Sequence, residues 1–397
     1  MDFENVNSMN RQLNLISGNL FPMTANGFTI GWRIYSIAVW LLMTVECIAF
    51  FSGCAMVPKE KNINNGMTVM LFNVEVFSLI TRIHVKRGLI MQFIRGMNDS
   101  LRTRDKIMKR IVMKVVRQMQ TPIKFYLLIG QLTMTIWILL PLGEIGKKSF
   151  FSYVDYKIPN AISKQPFSAM TFVLGIMLTL FADVYLLTKK LSLDSYVVHM
   201  VQLMTAQYQY IALKLAEMFQ NGMSENDYKA ENKHQHEIDQ RMKREIRALC
   251  LRHNGVTQMS FILKELLSFH VSVTYICNIL RYCCIGVMAL DTISRPLYEY
   301  VMVLLYLFSS IVEFCMVCFC VQELLNASKE LTDKAFHEDW FRCRLSIKRT
   351  FLLMITANKL ECKLAKVGNF NLALPSFLMI FKQAYAFAVL FLKIRST

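Results

Sequence analysis

Seven long apolar stretches constrain this chain more than any other feature. Each is near the ~20 residues that an α-helix needs to cross hydrocarbon. They run Ile30–Val57, Met67–Ile83, Ile123–Leu142, Phe167–Leu187, Phe269–Leu290, Leu297–Leu325 and Leu372–Leu392. The expected fold is therefore all-α: a polytopic membrane protein with seven transmembrane helices, residues 1–397 forming one membrane domain with no separate soluble domain, internal repeat or low-complexity linker. Seven crossings put the two termini on opposite sides.

Charge fixes the orientation. Of 45 basic residues, thirty-three share one side: Arg11, twelve from Arg82 to Lys124, eleven from Lys189 to Lys264 and nine from Lys329 to Lys366. Nine lie on the other side, namely Lys59, Lys61, Lys147, Lys148, Lys157, Lys164, Arg295, Lys393 and Arg395, while Arg33, Arg281 and Lys382 fall within spans. The positive-inside rule then gives a cytoplasmic N-terminus and an extracellular C-terminus. A net charge of +17 and a pI of 9.4 would suggest nucleic acid for a soluble protein, but with 54% hydrophobic residues and a mean hydropathy of +0.35 the charge faces anionic membrane lipid instead. Met1–Asn19 is polar and lacks a cleavable signal pattern.

Most of the eleven cysteines fall in spans or on the inner side, and none lies in the long external loop Gly143–Pro166, which argues against a disulfide framework. Cys315, Cys318 and Cys320 in an apolar helix read as small hydrophobes, and His234-x-His236 reads as a solvated loop, so no metal and no cofactor is expected. No cluster of nucleophile, base and orienting group points to an enzyme.

Between the spans, Arg82–Thr121 reads as helical, with Leu89, Phe93, Met97 and Leu101 at four-residue spacing. The fourth stretch continues at helical period through Leu193, Val197, Met200, Met204, Tyr208, Ile211 and Leu215, so its helix projects well into the cytoplasm. A polar loop from Asn221 to about Glu237 follows, and a helix resumes over Arg241–Ala289. Leu331–Ala357 is too charged to span, yet Phe336, Trp340, Cys343, Ile347, Phe351 and Ile355 mark one apolar face. Such a packing helix fits either the membrane surface or partner helices.

From Asn326 onward the chain resembles the insect odorant receptor family. Ser328, Leu331, Ala335, Phe336 and Trp340 are similar to its pattern of Ser, Leu, Ala, aromatic and Trp ahead of a basic helix. Phe377, Ile380, Lys382 and Tyr385 resemble its final-helix pattern, although Ala386 and Phe387 stand where Ser and Tyr are common. The resemblance implies an odorant-gated, non-selective cation channel that conducts monovalent and divalent cations, assembled as a hetero-tetramer with an odorant co-receptor subunit in the plasma membrane of olfactory sensory neurons. It implies a pore lined by the last helix and subunit contacts made by the cytoplasmic anchor helix at about 331–357, with Phe336, Trp340, Ile347, Phe351 and Tyr385 as the expected interface.

The resemblance also implies an apolar pocket in the outer half of the membrane, between the second, third, fourth and sixth spans. Gly130, Thr133, Met134 and Trp137 share a helix face, combining a small residue, a hydroxyl and an indole. Asn73, Val76 and Phe77, then Val173 and Met177, then Met302, Leu305 and Tyr306 are the candidates on the other walls. Few directional groups among many Met, Phe and Leu suggest a small apolar volatile ligand. For the pore, Gln383, Phe387, Leu390, Ile394 and Thr397 lie on one face of the last helix, with Leu390 and Ile394 as an apolar gate. The competing face carries Phe381, Tyr385, Ala388 and Leu392.

Charges in spans are costly and by default functional. Asp183 and Arg281 read as lying near cytoplasmic helix ends, where they can meet water or each other. Glu75 and Glu313 either border the ion path or satisfy a buried polar cluster. The alternatives to an odorant-gated channel are a gustatory-type channel, whose usual Thr-Tyr and Gln-Phe in the last helix are missing, and a G-protein-coupled receptor, which needs the opposite orientation and motifs not found here.

Overall fold

After Gly175 the fourth apolar stretch meets neither glycine nor proline until Gly222, so nothing local stops it, and one helix runs unbroken over Ala169–Gly222. At 1.5 Å per residue its 54 residues span about 80 Å, far beyond the ~30 Å of a hydrocarbon core. The computed structural model describes residues 1–23, 29–102, 105–222, 232–292, 296–337, 345–361, 366–367, 370–371 and 374–396. In chain order its helices are α1 (Ser8–Ile16), α2 (Ile30–Met56), the single turn α3 (Lys59–Lys61), α4 (Met67–Val85), α5 (Arg87–Leu101), α6 (Lys106–Leu139), α7 (Ala169–Gly222), α8 (Asn232–Thr292), α9 (Leu297–His337), α10 (Leu345–Glu361) and α11 (Leu374–Ser396). A two-residue antiparallel ladder, Lys366–Val367 with Phe370–Asn371, precedes α11.

Six of these helices, α2, α4, α6, α7, α8 and α9, contain stretches long and apolar enough to cross a membrane, and α11 carries a shorter apolar run, Leu378–Leu390. The surface shows the reversal expected of a protein solvated by lipid. On α2, Ile30, Ile34, Ile37, Leu41, Val45 and Ile48 recur every three or four residues and are all exposed, while Ser36, Met43, Glu46 and Gly53 face inward. The Ser36 hydroxyl is inside because it finds the Gly18 carbonyl there, which hydrocarbon could not supply.

α7 forms the centre, touching α1, α2, α4, α6, α8 and α9. Beyond Thr188 nearly every side chain to Phe219 is buried, whatever its chemistry. The N-terminal segment is one reason. Although its sequence is polar, it forms α1, capped by Asn7, and lies on α7. His199 Nε2 donates to the Phe3 carbonyl (2.8 Å), Tyr196 donates to the Pro22 carbonyl (2.7 Å), and the Phe3 N–H donates to Asn98 Oδ1 (2.6 Å).

Several expected boundaries move. Arg82–Thr121 is helical but divided: α4 ends at Val85, α5 buries Phe93, Met97 and Leu101, and from Lys106 the segment belongs to α6, which continues through Pro122 into the third apolar stretch. Val112, Val115, Val116 and Met119 are buried before the proline, and Gln202 of α7 donates to the Val115 carbonyl (2.9 Å), so tertiary contacts hold the helix where proline alone would break it. Asp105 caps this helix through the Ile107 N–H. The Tyr210 hydroxyl that donates to its carboxyl, with the Ile107 N–H, Lys214 and Arg252 nearby, outweighs partial desolvation and holds that carboxyl below its usual range. α8 starts at Asn232, inside the polar stretch read as loop. α9 runs on to His337, so Leu331, Ala335 and Phe336 belong to its last turns and α10 starts only at Leu345.

The motif residues Ser328, Leu331 and Ala335 lie on the buried face of α9, which explains their spacing as packing. Among the described cysteines Cys318 and Cys320 are buried in the same helix. Trp340 and Cys343, the side chains of His234, His236, Ile347, Phe377 and Ile394, and Cys362 and Thr397 lie outside the described residues.

Candidate functional site

The loop between α6 and α7 is built as a lid. Phe151 and Phe167 pair through two backbone hydrogen bonds, and Phe151 stacks on Phe172 at 4.2 Å. Ser152 and Asp155 form a reciprocal cap to which Lys148 adds an ion pair. Partial burial opposes the charge of Asp155, but Lys148 and the Ser152 N–H and hydroxyl hold its carboxyl below the ordinary range. The loop is seated on α2, where the Ala161 N–H donates to the Ala49 carbonyl and Asn160 donates to Thr179 of α7 (2.7 Å). At Gly53 a Cβ would stand 2.6 Å from the Asn160 nitrogen. Gly53→Ala is therefore expected to unseat the lid and lower the thermal midpoint, by about 1–3 kcal/mol of overpacking; an unchanged midpoint would show that the seat yields freely.

Beneath this lid is a cavity of about 70 Å³. On a scale where one water takes roughly 10–15 Å³ it admits only a compact guest. Its walls come from α4 (Phe72), α6 (Tyr126, Gly130, Thr133, Met134, Trp137), α7 (Asp183, Leu186, Leu187), α8 (Arg281, Met288) and α9 (Val303, Tyr306, Ser309), with Ile158 of the lid above. Lys157 of the lid lies 5.2 Å from the Trp137 ring centroid and pairs with Glu299 at the start of α9 (3.0 Å), fastening the lid across the bundle. Gly130 brings α6 close to α7: a Cβ there would come within 3.1 Å of Leu187.

At the cavity floor five charged side chains meet. Lys190 of α7 pairs with Asp194 (2.7 Å), Glu313 (2.8 Å) and Glu75 (3.1 Å). Arg281 of α8 pairs with Glu75 and with Glu313 (3.1 Å), and its guanidinium lies over the Phe72 ring. All five are at least 97% buried, so Glu75 and Glu313 satisfy a buried polar cluster. The placement of Asp183 and Arg281 at wet helix ends is corrected by this geometry: each is 1% exposed, and Arg281 meets Glu75 and Glu313 rather than Asp183. A buried guanidinium needs carboxylates on several sides, and only α4 and α9 together supply them. Lys190 and Asp194 escaped sequence reasoning because they follow a span and read as its cytoplasmic flank; their i, i+4 spacing is the one signal that they pair.

The structure brings five of the expected ligand residues, Gly130, Thr133, Met134, Trp137 and Tyr306, to this one cavity. It sets the others elsewhere. Asn73 is buried with its amide on the Val69 carbonyl, Val76 is in the core, and Phe77 packs on Trp40. Val173, Met177 and Met302 are partly buried away from the cavity, and Leu305 is exposed. On α11, Gln383 accepts from the Tyr275 hydroxyl of α8 (2.8 Å), Phe381 stacks on Tyr282 at 5.0 Å, and Phe387, Leu390 and Tyr385 are exposed. The expected pore face therefore divides between the chain's own α8 and the outside. On the expected interface, Phe351 is fully buried against Phe219 of α7 inside the chain, and Phe336 is half exposed.

The class of protein is thus a helical membrane bundle with a lidded interior cavity above a buried ionic cluster. The chain belongs to the 7tm Odorant receptor family, whose sequence profile matches residues 62–385. Putative odorant receptor 85d of Drosophila melanogaster is 21% identical over 145 residues, covering 36% of this chain and about a third (35%) of the relative's own length. The fold is similar to that of the insect olfactory receptor OR5 from Machilis hrabei, with a TM-score of 0.74 and 11% identity over 98% of this chain and 97% of that one. The structure of that receptor in complex with eugenol matches with a TM-score of 0.73 and 12% identity, over 99% and 100% of the two chains.

Proposed function

We propose that this chain is the odorant-binding subunit of an odorant-gated, non-selective cation channel, a tetramer formed with a co-receptor subunit in the plasma membrane of olfactory sensory neurons, with its N-terminus in the cytoplasm. Family membership supports the receptor class, and the eugenol complex of the Machilis hrabei receptor supports a small volatile ligand. The observation that carries the reading is the lidded cavity itself, walled by the second, third, fourth, fifth and sixth apolar helices under a loop tied to α2 and α9. Only a small molecule fits such a space, and burial supplies its affinity.

Gating needs a mechanical link between this cavity and the last helix. Consecutive residues of α8 provide one: Arg281 lines the cavity, and Tyr282 stacks face to face on Phe381 of α11. A guest that displaces α8 at Arg281 moves the surface on which α11 rests. Recognition and conduction then lie on different helices.

Trp137→Ala or Thr133→Val is accordingly expected to raise the half-maximal ligand concentration at least about tenfold, some 1.4 kcal/mol, with ion selectivity unchanged. Leu390→Ala, on the exposed face of α11, is expected to alter conductance or basal current at constant potency. Currents recorded from cells expressing the chain with the co-receptor, carrying matched changes in both subunits, test this. If all three variants changed potency alone, the pore would be lined by another face of α11.

A further inference from the structure

Within the cavity wall one acid forms no ion pair among the described residues. Asp183 is 1% exposed, and among the described residues neither of its carboxylate oxygens accepts a hydrogen bond. On α2, which packs against α7, Glu46 is 2% exposed, interacts electrostatically with Asp183, and has one carboxylate oxygen equally unpartnered. The nearby cations are committed elsewhere. Arg281 and Lys190 share Glu75, Glu313 and Asp194, already two positive charges against three negative. Lys189 is held by Asn19 and the face of Trp40. Two carboxylates buried without a counter-charge are costly, and the cost falls when a cation joins them or when they share a proton.

We propose that Asp183, backed by Glu46, anchors a ligand bearing a protonated aliphatic amine. The inference rests on the reading of this cavity as the ligand site and names the chemistry of what enters it. The shape of the wall selects an organic ammonium over a metal ion. Of the two carboxylates in the wall, Glu313 is taken up by Lys190 and Arg281, which leaves Asp183, whereas hard cations take six or more oxygens; beside the hydroxyls of Thr133, Ser309 and Ser310 the wall offers apolar and aromatic surface at Leu186, Leu187, Trp137 and Tyr306. An ammonium group on a short alkyl chain satisfies both parts, with its charge on the acid and its tail against the side chains. Aromatic faces within reach add to the attraction for a cation. The small volume restricts the chain to a few carbons.

The test is a thermal-unfolding titration of the purified full-length chain at neutral pH with butylammonium chloride, with 1-butanol as the uncharged molecule of the same shape, at matched chloride. A ligand that binds only the folded state raises the midpoint with concentration, so the two apparent affinities can be compared directly. Butylammonium is expected to act at concentrations at least about tenfold below those of butanol. Asp183→Asn is expected to abolish that margin and Glu46→Gln to reduce it. Equal affinities in the unaltered chain would overturn the proposal. So would a margin that survives Asp183→Asn; if that variant gives no cooperative transition, a margin untouched by Glu46→Gln overturns it. Because the readout is binding, amine preference without evoked current would sink the channel reading alone, and a channel opened by neutral volatiles without amine preference would sink this one alone.

Discussion

Replacing Arg281 by methionine is expected to cost the folded protein about 3–5 kcal/mol, the penalty for removing one partner from a buried ion cluster. The size follows from what is left behind: among the described residues Glu75 and Glu313 keep Lys190 as their remaining cation, and Lys190 is shared with Asp194 as well. Three buried carboxylates around one ammonium cannot all stay ionised. The measurement is the thermal midpoint together with the yield of correctly folded chain. A second substitution makes the argument specific. Adding Glu75→Gln to Arg281→Met restores the balance of charge among the rest and is expected to recover much of the loss, a coupling that a double-mutant cycle reads directly. Additive losses from the two changes would show that the guanidinium acts by packing against Phe72 and not by charge.

Phe351→Ala is the other change with a large expected effect, again about 3–5 kcal/mol, because it empties a fully buried site between α10 and Phe219. Its interest lies in separating two uses of one helix. Phe351, Met354 and Ile355 are buried within the chain, whereas Leu352 and Leu353 are exposed on the opposite side of α10 and Phe336 is half exposed on α9. Truncation of Phe351 is therefore expected to lower the thermal midpoint of the chain purified alone. Leu353→Ser is expected to spare that midpoint, since surface changes cost within about 0.5 kcal/mol, and to weaken co-purification with the co-receptor. The reverse pattern, with Phe351→Ala harming only assembly, would make the contact with Phe219 incidental.

Class and span number are legible without a structure because hydropathy over twenty residues is a local quantity. Seven stretches long enough for hydrocarbon, alternating with basic segments, read directly as a membrane bundle, and each overlaps a helix of the structure, six of them long and apolar enough to cross a membrane and the last a shorter apolar run. The motif at Ser328, Leu331 and Ala335 gave the family from the same kind of local pattern, and the profile match over residues 62–385 agrees. Local signals are weaker at element ends. Pro122 passes through α6 and α9 overruns its span to His337, in both cases with buried side chains packed on neighbouring helices, and the polar residues from Asn232 are helical as well.

Which residues share a helix face was also decided by the sequence: Gly130, Thr133, Met134 and Trp137 stand together because i, i+3, i+4 and i+7 always do. What that face looks at was not. Rotation about a helix axis is set by side chains on other helices, so on α4 Phe72 lines the cavity while Val76 and Phe77 turn to the core and to Trp40. The ionic floor is the clearest case. Glu75, Lys190, Asp194, Arg281 and Glu313 come from four helices and up to 238 positions apart in the chain (75 to 313), and apart from the i, i+4 pair Lys190–Asp194 no spacing rule connects them. Burial then converts what read as separate charges near water into one cluster, because in a low-dielectric interior opposite charges are stable only together.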